Sequence, residues 1–168
     1  LEAAGLSMPV HAAPTRTGLS RALAELKSKL ARRTRPATVF FFYAGHGLTG
    51  RLLLEPEAGD EASITGKELK LALMELGADH VELFIDACRS QSLFTERAVP
   101  DLSQEIASLE ARAASTSFGV LTAAQSDKPA GEASDLMGGF FSHVLASGLA
   151  GAADADGDDV VRFGELAA

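Results

Sequence analysis

The chain has 168 residues, 46% of them hydrophobic and 23% charged, which is typical of one globular domain with a substantial core. Its net charge of −8 argues against nucleic acid as a partner, because phosphate binding requires a basic surface. The single cysteine excludes an internal disulfide and favours a reducing, cytoplasmic compartment. No apolar run approaches the roughly 18 residues that a membrane span needs, so no membrane association is expected.

Helix and strand patterns alternate along the first half of the chain. Leucines at helical spacing predict amphipathic helices over residues 18–33 and 66–76. Continuous apolar runs predict strands buried on both faces, as in a parallel sheet, over residues 38–43 and 81–85. A glycine-rich turn and a short strand at 51–56 lie between the first long strand and the second helix.

The second half of the chain begins with a polar segment. Residues 90–117 predict a long loop with one helix near 102–113, and a third buried strand follows at 118–124. A helix framed by glycines is predicted for 138–151, and an acidic turn with a helix start closes the chain. The alternation favours an α/β fold, a three-layer αβα sandwich with a mostly parallel sheet, in one domain over 1–168.

Two of the predicted strands, 38–43 and 81–85, each end three residues before a reactive side chain. The stretch "GHG" places His46 after one strand, and "DAC" places Cys88 after another. The ligand crevice of an open α/β sheet lies at the carboxyl ends of its strands, so parallel neighbours would bring these side chains together. A cysteine nucleophile needs an imidazole that takes up and returns a proton. We therefore predict a His46–Cys88 dyad, with the backbone N–H groups of Gly47 and Cys88 as an oxyanion hole.

Each residue of this pair also has a simpler interpretation. A lone buried cysteine is most often a small core residue, and a histidine in a glycine-rich loop is most often structural. The combination favours the dyad, because His46 and Cys88 each follow an apolar strand at matching strand ends.

The two motifs together resemble those of the caspase-like cysteine peptidases. "YAGHG" and "DACRS" place the histidine and the cysteine 42 positions apart. In the caspases proper the cysteine lies in Q-A-C-[RQG]-G, with the histidine about 50 residues upstream. Here Asp86 replaces the glutamine and Ser90 the glycine, which looks closer to the bacterial caspase-like and metacaspase branch. From about residue 18 onward, the resemblance implies a hydrolase that cuts proteins through a thioester acyl-enzyme and needs no organic cofactor.

The resemblance also implies how substrates are selected. Caspases proper cut after Asp and bind this substrate residue with arginines of the enzyme. The metacaspase branch cuts after Arg or Lys and binds the substrate residue with acidic side chains. Asp86 and Cys88 share one face of an extended strand, so the Asp86 carboxylate can pair with a substrate guanidinium beside the nucleophile. Asp127, in the loop after the third strand, is the second pocket acid that the resemblance implies. The alternatives are a helix cap for Asp86 and a turn role for Asp127.

The resemblance further indicates a zymogen. Segment 90–117 lies where caspases carry the linker that is cut during activation, and it contains Arg97 and Arg112 as basic sites for self-cleavage. An intact surface loop is the alternative. Residues 1–10 look like the end of the family's first helix and the next strand, so we expect an incomplete chain that lacks the first strand. We therefore expect a regulatory partner or a missing N-terminal segment to complete the domain.

A stretch near the C-terminus, "DADGDDVVRFGE", resembles a calcium-binding EF-hand loop. Asp154, Asp156 and Asp158 occupy positions 1, 3 and 5, and Glu165 occupies position 12. Asp159, however, stands where the position-6 glycine makes the sharp turn. We favour an acidic turn between two helices and assign no metal site, with calcium binding as the alternative.

Another function class stays open beside the peptidase, namely a catalytically inactive caspase-like adaptor or regulatory module. The presence of both dyad residues, His46 and Cys88, favours the peptidase. A thiol-reactive probe that labels Cys88 only in the folded protein would separate the two classes.

Overall fold

Helices and strands alternate in the computed structural model, which describes residues 14–59, 61–87, 93, 116–123, 132–133 and 138–168. In chain order the elements are α1 (Arg16–Leu30), β1 (Thr38–Gly45), β2 (Gly47–Leu48), β3 (Arg51–Leu53), β4 (Ser63–Thr65), α2 (Gly66–Met74), β5 (His80–Ala87), β6 (Ser117–Thr122), β7 (Glu132–Ala133), β8 (Gly138–Gly139), α3 (Phe140–Ser147) and α4 (Phe163–Leu166). A π-helical turn, Gly148–Ala152, directly follows α3.

A parallel sheet with the strand order β1-β5-β6 forms the centre of the fold. β1 pairs with β5 along its whole length, from Thr38 opposite His80 to Gly45 opposite Ala87. β6 pairs with the other side of β5 from Ser117 onward. A smaller antiparallel sheet, β2-β3-β4, follows β1 in the chain, and β7 pairs with β8. The three central strands therefore end at one common edge, where ligand crevices of parallel sheets lie.

One face of the central sheet carries the main hydrophobic core. Val81, Leu83 and Ile85 alternate along β5 and are fully buried. They belong to one cluster with Leu69 and Leu73 of α2, and leucines of α1 pack against the same cluster. The helical spacing of those leucines thus serves to remove apolar area from water against the sheet.

The C-terminal helices contact the opposite face of the sheet. The Phe84 ring of β5 lies 6.3 Å from the Phe163 ring of α4 and stacks on Phe40 of β1 at 6.0 Å, measured between ring centroids. Ser142 of α3 donates a hydrogen bond to Asp86 at the end of β5. Helices on both faces of a parallel sheet confirm the predicted α/β fold with three layers.

The starts of α1 and α2 are capped by threonines and joined by an ion pair. Thr15 Oγ1 accepts a hydrogen bond from the Gly18 backbone N–H at 3.0 Å, and Thr65 forms a capping box with Glu68. The Arg16 guanidinium pairs with the Glu68 carboxylate. Partial burial acts to raise the pKa of Glu68, but hydrogen bonds from Thr65 and Arg16 outweigh it and lower that pKa. The carboxylate is therefore charged at neutral pH and links both helix starts.

The first predicted strand is longer and less buried than its sequence indicated. β1 continues past the apolar run 38–43 to Gly45, because its pairing with β5 extends that far. The prediction that this strand is buried on both faces is wrong, since Phe40 is 39% exposed and Ala44 and Gly45 are also exposed. The strand predicted for 81–85 is buried as expected.

The helix predicted for 138–151 is also interrupted. Residues 138 and 139 form β8 instead, and the regular helix ends at Ser147. The backbone then passes through the π-helical turn to Gly151, whose φ of 112° is incompatible with a helix. The predicted C-terminal helix start is confirmed as α4.

Some predicted elements fall outside the described residues. These are the helix near 102–113 and the N-terminal segment 1–13. Within the described part of the chain, no helix combines the length and the apolar character that a membrane crossing requires.

Candidate active site

The predicted dyad positions follow two paired strand ends. Gly45 lies opposite Ala87 in the parallel pairing of β1 with β5. His46 is the next residue after Gly45, and Cys88 is the next residue after Ala87. Cys88 itself lies outside the described residues. In this register the residues that directly precede His46 and Cys88 therefore lie side by side at the ends of adjacent strands.

The His46 side chain is exposed, whereas its backbone carbonyl is held by two donors. The carbonyl oxygen accepts a hydrogen bond from the Leu53 backbone N–H at 2.9 Å and another from the Tyr43 hydroxyl at 2.9 Å. Leu53 belongs to β3 and Tyr43 to β1, so this carbonyl connects the end of the central sheet to the β2–β3 hairpin. An exposed imidazole on a fixed backbone is accessible to a substrate.

The backbone N–H of Gly47 points away from the β2–β3 hairpin. In antiparallel pairs, hydrogen-bonded and non-hydrogen-bonded positions alternate along the two strands. His46 and Leu53 occupy a hydrogen-bonded position, because the Leu53 N–H donates to the His46 carbonyl. The next pair, Gly47 opposite Leu52, is then non-hydrogen-bonded, so the N–H group of each residue points away from the partner strand. The Gly47 N–H is thus not used by β3.

The Asp86 carboxylate lies at the carboxyl end of β5 and is only 8% exposed. The Ser142 hydroxyl of α3 donates a hydrogen bond to its Oδ2 atom at 2.5 Å. On the neighbouring strand, Ala44 stands opposite Asp86 and is exposed. A carboxylate group accepts several hydrogen bonds, so the Ser142 bond leaves Asp86 with further acceptor capacity of the kind that a guanidinium group matches.

The remaining predicted site residues lie outside the described part of the chain: Cys88, Asp127, Arg97 and Arg112. Two residues near the site were missed by the sequence interpretation. Tyr43 lies inside the quoted motif "YAGHG", so the signal was present, but its hydroxyl was given no role. Ser142 carries no local signal, because it is 56 positions away from Asp86 in the chain.

The C-terminal acidic loop forms a second cluster of carboxylates. Oxygens of Asp154, Asp156 and Asp158 lie within 4.8 Å of one another. Asp154 accepts hydrogen bonds from the backbone N–H groups of Gly157 at 2.8 Å, Asp158 at 3.2 Å and Asp159 at 3.0 Å. Asp159 has a φ of 62°, so it adopts the left-handed conformation that the sequence interpretation reserved for glycine. The sharp turn therefore forms without the position-6 glycine.

The carboxylates of this loop already have donors within the protein. Arg162 pairs with Asp156 and Asp158, and its hydrogen bond to Asp158 lowers the pKa of that carboxyl group. Glu165 accepts hydrogen bonds from the backbone N–H groups of Ala155 at 3.1 Å and Arg162 at 2.7 Å. These contacts account for the loop as an acidic turn, and calcium binding stays a prediction.

Comparisons with known proteins identify one family. The family model for the caspase domain, of peptidase family C14, matches residues 1–162. No curated protein and no solved structure gives a significant match. The matched range includes both strand ends of the candidate site and the acidic loop as far as Arg162.

Proposed function

Because the chain belongs to the caspase-domain family of cysteine peptidases, we propose that it is an endopeptidase that works through a His46–Cys88 dyad. The observation that carries this proposal is the parallel register of β1 with β5, in which Gly45 lies opposite Ala87. Each paired residue is followed by one member of the dyad. Family membership supports the class of reaction, hydrolysis of peptide bonds in proteins.

The proposed reaction passes through a thioester. His46 accepts the proton of the Cys88 thiol, and the thiolate sulfur attacks the carbonyl carbon of the scissile peptide bond. His46 then donates this proton to the leaving amine as the C–N bond breaks. A water molecule next loses a proton to His46 and attacks the thioester carbon. The C–S bond then breaks, the acid product leaves, and His46 returns its proton to the Cys88 sulfur.

The proposed oxyanion hole consists of the backbone N–H groups of Gly47 and Cys88. The outward direction of the Gly47 N–H supports this assignment, because β3 does not compete for it. Donors that are fixed before the reaction stabilise developing negative charge at little cost in reorganisation. The hairpin that fixes Gly47 is the one that holds the His46 carbonyl.

We expect cleavage after Arg or Lys, with Asp86 and Asp127 as the acids of the specificity pocket. The burial of the Asp86 carboxylate at the end of β5 supports this, since a partly desolvated acid favours a paired guanidinium over other side chains. Arg97 and Arg112 have the side chain that such a pocket accepts, so self-cleavage within 90–117 is part of the same proposal.

The test is release of a fluorophore from short peptides that end in Arg, Lys or Asp. We expect hydrolysis after Arg, and a loss of at least about 10³-fold in the Cys88→Ala and His46→Ala variants. Circular dichroism of each variant checks that the fold is retained. Equal turnover by wild type and Cys88→Ala would contradict the dyad, and preferential cleavage after Asp would contradict the acidic pocket. A folded wild-type protein that cleaves none of the peptides would favour the adaptor alternative.

A further inference from the structure

The Tyr43 side chain joins three parts of the candidate site through one hydroxyl group. Its Oη atom lies 2.9 Å from the His46 carbonyl oxygen and 2.5 Å from the Leu53 carbonyl oxygen. The residue is only 9% exposed, and burial raises the pKa of its hydroxyl group. The hydroxyl group therefore stays protonated. It donates a hydrogen bond to the two carbonyl oxygens, either shared between them or to each in alternation.

The placement of this ring depends on the absence of a side chain at Gly45. Tyr43 and Gly45 are two positions apart on β1, so they point to the same face of the strand. A Cβ atom at position 45 would lie 2.7 Å from Tyr43 Oη and 3.0 Å from Cζ. The ring thus lies over Gly45 and reaches past it to the peptide group of His46. No larger residue at position 45 leaves room for this contact.

These contacts hold the backbone of His46, whereas its side chain is exposed. The His46 carbonyl accepts from both Tyr43 and Leu53, and Tyr43 also contacts the Leu53 carbonyl. The three groups form a closed link between the end of β1 and strand β3. Only one of these links, the Tyr43 hydroxyl, comes from a side chain and can be removed by substitution without changing the backbone.

We propose that Tyr43 is a positioning residue for the His46–Cys88 dyad, acting through its hydrogen bond to the His46 carbonyl oxygen. This inference rests on the proposed peptidase function. Without the hydroxyl, the peptide group of His46 gains freedom, and the imidazole samples positions farther from the cysteine sulfur. Misplacement of a reacting group by about 1 Å costs up to about 10²-fold in rate. The same link holds the hairpin that carries the Gly47 N–H.

The primary experiment compares wild type with Tyr43→Phe, which removes one oxygen atom and retains the ring. We expect kcat for an Arg peptide to fall by about 10- to 100-fold, with KM changed by less than about twofold. The second readout is the rate of Cys88 alkylation by iodoacetamide as a function of pH. This rate reports the thiolate, which a nearby imidazolium stabilises. We expect the Tyr43→Phe profile to shift toward that of His46→Ala.

Thr116→Val is the matched control. The Thr116 hydroxyl donates a hydrogen bond to the Ala78 carbonyl at 2.8 Å. This contact lies near the starts of β5 and β6, whereas the dyad positions follow the ends of β1 and β5. This variant also loses one hydroxyl-to-carbonyl hydrogen bond, here a partly buried one, and therefore some stability. We expect it to lower the melting temperature as Tyr43→Phe does and to leave kcat and the alkylation profile unchanged.

A second variant reaches the same contact by another route. Gly45→Ala keeps the Tyr43 hydroxyl but displaces the ring, so we expect the same fall in kcat and the same shift in the alkylation profile. This variant keeps the inference testable if Tyr43→Phe fails to fold.

The outcomes separate the two proposals. If His46→Ala and wild type have the same pH profile of Cys88 alkylation, the dyad is wrong and the proposed role of Tyr43 is wrong as well. If alkylation depends on His46 and both Tyr43→Phe and Gly45→Ala retain the wild-type profile and kcat, only the role of Tyr43 is overturned.

Discussion

The Glu82 carboxyl group lies on the sheet face that Phe163 contacts. A Cβ atom added at Gly119 would overlap both Glu82 Oε2 and the Phe163 ring, so all three groups are in close contact. Among the described residues, Glu82 Oε2 is a buried side-chain oxygen without a hydrogen-bond partner. Burial raises the pKa of Glu82 above its ordinary value of 4.5, and the nearby charge of His80 opposes this only in part.

The raised pKa of Glu82 predicts a pH-dependent loss of stability. Below pH 4.5 the carboxyl group is protonated in both the folded and the unfolded chain, so folding changes no charge. As the pH rises through 4.5 and then through the raised pKa, the unfolded chain releases the proton first and the folded state loses relative stability. We expect Glu82→Gln to raise the melting temperature at pH 7 and to leave it nearly unchanged at pH 4.

Thermal unfolding of both proteins between pH 4 and pH 8 measures this effect. The exposed Glu57→Gln substitution removes the same charge from a loop and serves as the control. A difference between Glu82→Gln and wild type that is constant with pH would contradict the argument.

At the scale of elements, α3 and β5 meet through a hydrogen bond between two polar side chains. Ser142 lies in the first turns of α3, and Asp86 is the second-to-last residue of β5. Removal of the donor would leave a buried carboxylate with one hydrogen bond fewer, and bonds to charged groups contribute about 1.5–3 kcal/mol. The contact therefore fixes the helix against the sheet and also orients the proposed pocket acid.

We expect Ser142→Ala to lower the free energy of unfolding by about 1.5–3 kcal/mol and to raise KM for an Arg peptide several-fold. Urea unfolding and peptide kinetics measure the two effects. Ser147→Ala is the matched control, because it makes the same substitution at an exposed position of the same helix. If the two variants have equal KM values, Ser142 does not orient the acid.

At the scale of the whole molecule, the segment 90–117 connects two strands that are hydrogen-bonded neighbours. β5 precedes this segment and β6 begins at its last residue, and the two strands pair in parallel from His80 opposite Ser117 to Ile85 opposite Thr122. The backbone hydrogen bonds and the core contacts of both strands do not depend on the connection between them. A cut in the connecting segment therefore leaves the central sheet intact.

Self-cleavage at Arg97 or Arg112 should thus yield two fragments that stay associated. We expect two bands on a denaturing gel and a single species in size-exclusion chromatography, with one intact band for Cys88→Ala. Arg97→Gln combined with Arg112→Gln should remain a single chain while the dyad is unchanged. Fragments that separate under native conditions would contradict the role of the β5–β6 pairing, and one intact band for active wild type would contradict self-cleavage.

The helical spacing of leucines was sufficient to predict α1 and α2, and continuous apolar runs were sufficient to predict the three parallel strands, because both patterns are visible within a short stretch of sequence. The motifs around His46 and Cys88 were sufficient to predict the family, which the match over residues 1–162 confirms. What the sequence alone determined is therefore local: the type of most elements and the kind of residue that follows each strand.

Only the tertiary structure decided how distant residues meet. The strand order, the contact of Ser142 with Asp86 and the link from Tyr43 to Leu53 join positions that no short-range pattern relates. The turn at Asp159 also formed against the local preference for glycine, because three backbone N–H groups bind the Asp154 carboxylate. The contacts between distant residues depend on the path of the chain through the whole fold, whereas the Asp159 turn is decided within its own loop, where hydrogen bonding outweighs the conformational preference of a single residue.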